Sequence, residues 1–159
     1  MDLRIGQGYD VHQLREGLPM WLGGVQIESN IGFVAHSDGD VAIHALCDAL
    51  LGALALGDIG HLFPDTSDEW KGISSTILLQ KVMERVSALG WRVVNADITI
   101  ALQRPKIASR VADMREHLCA VLGVEPSRVS VKATTTERLG FVGRGEGCEV
   151  WAVVLLQRD

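Results

Sequence analysis

Asp10, His12 and His44 are the residues of this sequence whose types and spacing most directly suggest chemistry. Imidazole nitrogens and a carboxylate suit zinc, and three protein ligands leave a fourth position for substrate, as in catalytic rather than structural sites. Asp10 and His12 lie two apart in Leu3-Arg4-Ile5-Gly6-Gln7-Gly8-Tyr9-Asp10-Val11-His12. That stretch reads as a strand, so both side chains point to one face. Its two glycines mark places where something must approach the backbone closely. His44 falls in a run from Val41 to Leu56 that is nearly all Ala, Leu, Ile and Val. A helix apolar all round is buried, yet i,i+4 steps put Asp40, His44 and Asp48 on one face of it. Ionisable groups in a core need a partner, a metal or a ligand. Cys47 is a competing ligand one turn from His44, but a small thiol on an apolar helix reads as packing. Taken singly, each histidine is more often a satisfied structural residue than a ligand.

Other groups are less specific. Asp58 and Asp65 flank an irregular loop, where helix-end and turn chemistry explain a carboxylate as well as a ligand does. Arg104 and Lys106 sit on a proline-fixed turn that suits a phosphate or nucleotide, and equally a solvated loop. In Thr134-Thr135-Thr136-Glu137, consecutive hydroxyls can bond phosphate oxygens, and a carboxylate beside phosphates is where Mg²⁺ is held. A run of β-formers is the plain alternative. The Gly140-to-Gly147 segment lacks the G-x-x-x-x-G-K-[ST] pattern and is no Walker loop.

The elements that must position these residues follow in order. After the first strand, residues 20–27 read as two short strands around Gly23-Gly24. A buried helix spans about 38–56, following a Ser-Asp-Gly-Asp run suited to capping. An irregular segment leads to a helix over 75–89, capped by Ser74 or Ser75 and closed by Gly90. Residues 91–102 alternate as a half-buried strand, with Val93, Asn95, Asp97 and Thr99 opposite Val94, Ala96, Ile98 and Ile100. A helix over 107–122, a strand over 129–133, a glycine-rich loop over 139–147 and a strand over 149–157 complete the chain. The order β-β-β-α-α-β-α-β-β predicts an α+β fold, a mixed β-sheet with helices packed on one face in a ferredoxin-like arrangement.

The 159 residues fit one domain, and 47% hydrophobic with 22% charged is an ordinary soluble composition. No stretch is long and apolar enough for a good membrane span, and Met1-Asp2-Leu3-Arg4 lacks the features of a signal peptide. A cytoplasmic protein is expected. Three widely spaced cysteines argue against a disulfide framework. A net charge of −5 argues against a general nucleic-acid surface.

As a set, these motifs are recognisable. Gly8-Tyr9-Asp10-Val11-His12, His36-Ser37-Asp38-Gly39-Asp40, Gly57-Asp58-Ile59-Gly60 and Phe63-Pro64-Asp65-Thr66 stand in order with Arg104-Pro105-Lys106, Lys132-to-Glu137 and Gly140-to-Gly147. Over essentially the whole chain they closely resemble the 2-C-methyl-D-erythritol 2,4-cyclodiphosphate synthase family of the non-mevalonate isoprenoid pathway. The resemblance implies a homotrimer with active sites between subunits. It implies Zn²⁺ on Asp10, His12 and His44, and Mg²⁺ or Mn²⁺ on Glu137 with the substrate diphosphate. His36 and Thr135 would stabilise the transition state. Asp10, His12, His36 and Ser37 would also meet substrate. Asp58, Ile59 and Gly60 would bind the methylerythritol part, with Phe63, Pro64, Asp65, Thr66 and Ser67 nearby. Leu102, Gln103, Arg104, Pro105, Lys106, Ile107 and Ala108 would hold the cytidine diphosphate part, and Thr134, Thr135, Thr136 and Glu137 would also meet substrate. Phe141, Arg144 and Glu149 would bind an isoprenoid diphosphate in the central channel. Two departures from the family pattern are a bulkier, more basic Leu102-Gln103-Arg104 and a shortened segment between Gly147 and Glu149.

The implied reaction is intramolecular: a 2-phosphate attacks the β-phosphorus of the same substrate's diphosphate and expels CMP. A phosphate oxygen is already anionic, which fits a chain with metal ligands, Lys106 and hydroxyls but no evident nucleophile–base pair. Two rivals are a zinc phosphohydrolase with His36 or Asp58 as base, and a non-catalytic isoprenoid-diphosphate-binding trimer.

Overall fold

β7 (Gly147–Arg158), last in sequence, runs through the middle of the sheet, with β1 (Asp2–Glu16) on one side and β5 (Arg92–Ala101) on the other, both antiparallel to it. The computed structural model describes residues 1–64 and 66–159. Two further strands, β4 (Ile31–Phe33) and β6 (Val129–Thr134), complete the order β4-β1-β7-β5-β6. β2 (Met20–Leu22) and β3 (Val25–Ile27) form a separate hairpin. β5 and β6 are parallel and joined through α4 (Val111–Leu122), so the sheet is mixed. Helices α1 (Val41–Ala53), α3 (Ser75–Ala88) and α4 complete the long elements. α1 packs on β1 and β7, α3 on α1, and α4 on β6 and α3. An α+β fold with a mixed sheet and its helices on one face is therefore present. The β5–α4–β6 crossover makes the connections differ from the β-α-β-β-α-β order of a ferredoxin-like chain, so that likeness holds for the layers and not for the path.

α1 lies against the glycine side of β1. A Cβ on Gly6 would come within 1.9 Å of the carbonyl oxygen of Ala49, and one on Gly8 within 1.9 Å of that of Ala45. The close approach expected at these glycines is thus the approach of a helix backbone to a strand backbone. Because the strand is pleated, Asp10 and His12 follow Gly6 and Gly8 on the helix side. The odd-numbered residues face away and stay uncovered: Ile5 is 73% exposed, and Leu3, Tyr9 and Val11 are exposed with it, beside Trp151 and Val153 of β7.

Several boundaries differ from expectation. α1 begins at Val41 rather than 38, with Asp40 as its N-cap. The Asp40 carboxylate is fully buried and accepts N–H groups from Ile43 at 3.0 Å, Gly23 at 2.9 Å and Gly24 at 2.6 Å. It clamps the β2–β3 hairpin to the helix and needs no ligand. α2 (Ile59–Leu62) and α5 (Gly140–Gly143) are single turns inside segments expected to be loops. β4 is a three-residue strand absent from the expected order. In β5 the alternation slips at a bulge between Val93 and Asn95, so Val93 joins Ala96, Ile98 and Ile100 in the core instead of opposing them. No helix among the described residues is long and apolar enough to cross a membrane.

Candidate active site and metal centre

Strand β1 and helix α1 meet at a cluster of Asp10, His12 and His44, each offering one ligand atom, with all of these within 4.8 Å of one another. Asp10 Oδ2 lies 3.3 Å from His12 Nδ1 and 3.2 Å from His44 Nδ1. His12 Nδ1 is also 2.8 Å from the Val11 carbonyl, and the Val11 N–H donates to Asp10 Oδ1 at 2.9 Å. Burial pulls the His12 pKa below the ordinary histidine value, against the opposing charge of Asp10. For His44 burial acts in the same sense, but the Asp10 hydrogen bond and charge, with Asp40 and Asp38 behind, together hold it above the ordinary value. A divalent cation is the group such a cluster would hold. The donor set fits such an ion: two imidazoles and one carboxylate on rigid elements, with an open side.

That open side is a cavity of about 360 Å³. His36, Ser37, Ile59, Gly60 and Phe63 line it. Its far wall was not foreseen. Trp70, in a short 3-10 turn, stacks edge-on to Phe63 with ring centroids 5.0 Å apart, and Ile73 and Leu78 close the apolar side. A tryptophan in a charged, irregular stretch was the one available signal for this wall.

Asp48 is the third ionisable group on the buried helix. It accepts the Ile59 N–H at 2.9 Å and so fastens the loop that brings Ile59 and Gly60 to the cavity. Burial pushes the Asp48 pKa up. Asp58 does not line the cavity; its carboxylate caps α2 by accepting the His61 N–H at 2.9 Å. Pro64, Thr66 and Ser67 lie outside the lining as well, and Asp65 falls outside the described residues.

The residues that the resemblance assigns to the nucleotide are not brought to this cavity within the chain: Lys106, Thr135 and Glu137 are absent from its lining. They gather at the ends of β5 and β6. Arg104, Lys106 and Ala108 are exposed there, whereas Leu102 and Ile107 point into the core, and the Leu102 N–H is already bonded to the Thr134 carbonyl. Thr136 Oγ1 donates to the Leu139 carbonyl at 2.7 Å. Thr135 Oγ1 accepts the Glu137 N–H at 3.2 Å, which leaves its own hydroxyl hydrogen to donate. Glu137 and Arg138 both have positive φ, at 54° and 63°. A second cavity, of about 420 Å³, is lined by Phe141 with Val11, His12 and Gln13. Glu146, also in its lining, pairs with Arg144 at 2.7 Å, and Glu149 accepts the Tyr9 hydroxyl at 2.9 Å. Cys47 is fully buried and outside the metal-ligand group.

The sequence matches the YgbB family over residues 3–157. The 2-C-methyl-D-erythritol 2,4-cyclodiphosphate synthase of Marinobacter nauticus is 58% identical over 155 residues, covering 98% of each chain. Among solved structures, the bifunctional IspDF of Campylobacter jejuni is similar with a TM-score of 0.95 and 43% identity over 99% of this chain, which spans 43% of that longer one. The IspF of Plasmodium falciparum, in a CDP complex, gives a TM-score of 0.87 and 35% identity over 99% of this chain and 97% of its own. With the family model matched over residues 3–157 and a relative 58% identical along nearly its whole length, the chain belongs to the YgbB family.

Proposed function

We propose that this chain, a single cytoplasmic domain, cyclises 4-diphosphocytidyl-2-C-methyl-D-erythritol 2-phosphate to 2-C-methyl-D-erythritol 2,4-cyclodiphosphate with release of CMP, in non-mevalonate isoprenoid biosynthesis. The observation that carries this reading is the Asp10–His12–His44 cluster opening on a cavity of substrate size. An oxygen of the 2-phosphate forms a bond to the β-phosphorus, the bond from β-phosphorus to the CMP oxygen breaks, and the electron pair leaves with CMP. No base is required for an anionic nucleophile, so the protein bends the substrate and neutralises charge.

Asp10, His12 and His44 hold a divalent cation, Zn²⁺ by donor type, and Glu137 holds Mg²⁺ or Mn²⁺ with the diphosphate. Such ions supply Lewis-acid stabilisation of charge on the phosphoryl oxygens. His36 and Ser37 meet the reacting phosphates, Ile59, Gly60 and Phe63 hold the methylerythritol carbons, and Thr135 donates its free hydroxyl hydrogen. Lys106 and the exposed backbone between residues 103 and 108 take the cytidine diphosphate part; the CDP complex of the Plasmodium relative supports a nucleotide-type ligand for the fold. Glu137→Gln is expected to raise the Mg²⁺ concentration needed for half-maximal turnover roughly tenfold with zinc content unchanged, since a neutral amide is a poorer ligand for a hard cation. An unchanged Mg²⁺ dependence removes that role.

The assembly we infer is a homotrimer with each site shared by two subunits. Two observations support it: the nucleotide residues are missing from the cavity of their own chain, and a broad apolar sheet face lies uncovered. In the trimer Phe141 and Arg144 would face a central channel able to take an isoprenoid diphosphate. Incubation with the cytidyl substrate tests the activity: cyclic diphosphate and CMP are expected, whereas a ring-opened hydrolysis product or no turnover overturns it. Co-refolding equal amounts of His44→Ala and Lys106→Ala tests the sharing. Random mixing restores roughly a quarter of the sites if neighbours complete one another, and mixed trimers that stay inactive remove the idea.

A further inference from the structure

His44 presents its two ring nitrogens to two different environments. Nδ1 faces Asp10 Oδ2 at 3.2 Å, on the metal side. Nε2 faces inward, 2.8 Å from Ser75 Oγ and 3.3 Å from Ser37 Oγ. Ser75 is fully buried and opens α3, yet Ser74, the N-cap, makes no side-chain capping bond. The cap comes instead from Asp38, far away in sequence. One Asp38 oxygen accepts the Ser75 N–H at 2.9 Å, and the other accepts the Ser75 hydroxyl. The Asp40 N–H, at 3.1 Å, holds that second oxygen in place.

A carboxylate only accepts, so the Ser75 hydroxyl hydrogen is committed to Asp38. Ser75 Oγ is left with lone pairs alone toward the ring, and a contact of 2.8 Å then requires His44 Nε2 to carry the hydrogen. In the neutral ring this leaves the lone pair on Nδ1, the nitrogen beside Asp10. We propose that Asp38 and Ser75 are positioning residues that fix His44 in its Nε2–H form and so aim Nδ1 at the metal. Neither touches the substrate cavity. The proposal rests on the reading of the cluster as a metal centre.

Asp38→Asn is the sharp probe, because it keeps size and shape while turning one acceptor into a donor. If the amide oxygen stays on the Ser75 N–H, the NH2 displaces the Asp40 N–H contact and donates to Ser75 Oγ, and the hydroxyl hydrogen swings to His44 Nε2. The ring proton is then driven to Nδ1, against the metal. Zinc affinity, read by competition with a chromogenic chelator, is expected to fall about 10–100-fold, the usual effect of disturbing groups behind a metal ligand. Ser75→Ala removes the acceptor but adds no opposing donor, and Ser37 remains, so its loss should be smaller. Melting of the metal-free variants reads the fold separately. In the unaltered zinc-loaded protein, ¹⁵N spectra of the histidines should show His44 protonated at Nε2 and ligating through Nδ1. That measurement decides even if Asp38→Asn does not fold. Ligation through Nε2, or unchanged zinc affinity in a folded Asp38→Asn protein whose His44 carries its hydrogen on Nδ1, overturns the proposal while leaving the metal centre standing. Failure of the unaltered protein to bind zinc removes the centre and the relay together.

Discussion

Replacing His44 with alanine is expected to strip the protein of zinc and to lower kcat/KM by about 10³-fold. A bound cation contributes several kcal/mol to charge stabilisation in phosphoryl chemistry, and each ~1.4 kcal/mol is a factor of ten in rate. His44 is one of three ligands, and the remaining pair on β1 is no substitute for a tridentate site. Cys47→Ser is the control, since the thiol lies one turn away. It is wholly buried, its pKa is pushed well above the ordinary value by burial and by the nearby Asp48 and Asp40 carboxylates, and it contributes nothing to the cluster. Metal analysis of the two purified variants checks the assignment. Zinc kept by His44→Ala and lost from Cys47→Ser would reverse it.

Gly8→Ala should damage both stability and site. The added Cβ would sit 1.9 Å from the carbonyl oxygen of Ala45 and 2.7 Å from the amide nitrogen of Ala49. Both are backbone atoms in the middle of a buried helix, so no side chain can swing aside. α1 must move away from β1, opening a packed interface at a cost of about 3 kcal/mol or more. Asp10 lies two residues along the strand and His44 is carried by the helix, so the same displacement pulls the metal ligands apart. Zinc affinity should therefore fall with stability. Gly17→Ala provides the contrast. Its φ of +78° is unfavourable, but a Cβ there meets nothing within 4 Å, and about 1–2 kcal/mol of backbone strain is all that is expected. Urea unfolding compares the two, and equal losses would refute the close-packing account.

The metal cluster was legible because its signal is local and chemical. A two-residue step on a strand sets Asp10 and His12 on one side, and an ionisable residue in an apolar helix singles out His44. Gly6 and Gly8 were legible as points of close approach, though not the partner that approaches. The two carboxylates that share a helix face with His44 were much less so. Asp40 and Asp48 look like site groups in sequence, but one binds the hairpin backbone and the other the Ile59 N–H, through contacts that no periodicity encodes. Ser75 reads as a helix cap because its partners, Asp38 and His44, lie more than thirty residues away. β4 and α2 are too short to repeat any pattern. The bulge in β5 shifts Val93 across the sheet for reasons of register with β7 rather than of its own sequence.

Placing β7 at the centre of the sheet also sets a timetable. During synthesis β1 emerges first and β7 after nearly everything else, yet β1 and β5 meet only through β7. Until it arrives, only the β4–β1 and β5–β6 pairings of the five-stranded sheet can form. The nascent chain then carries two open strand edges and a helix without its floor, the kind of surface that associates with other chains or with chaperones. Its most numerous contacts are also its most distant in sequence, so the loop-closure entropy falls due late and all at once. Asp10, His12 and His44 on β1 and α1 gain their rigid frame in that same closing step.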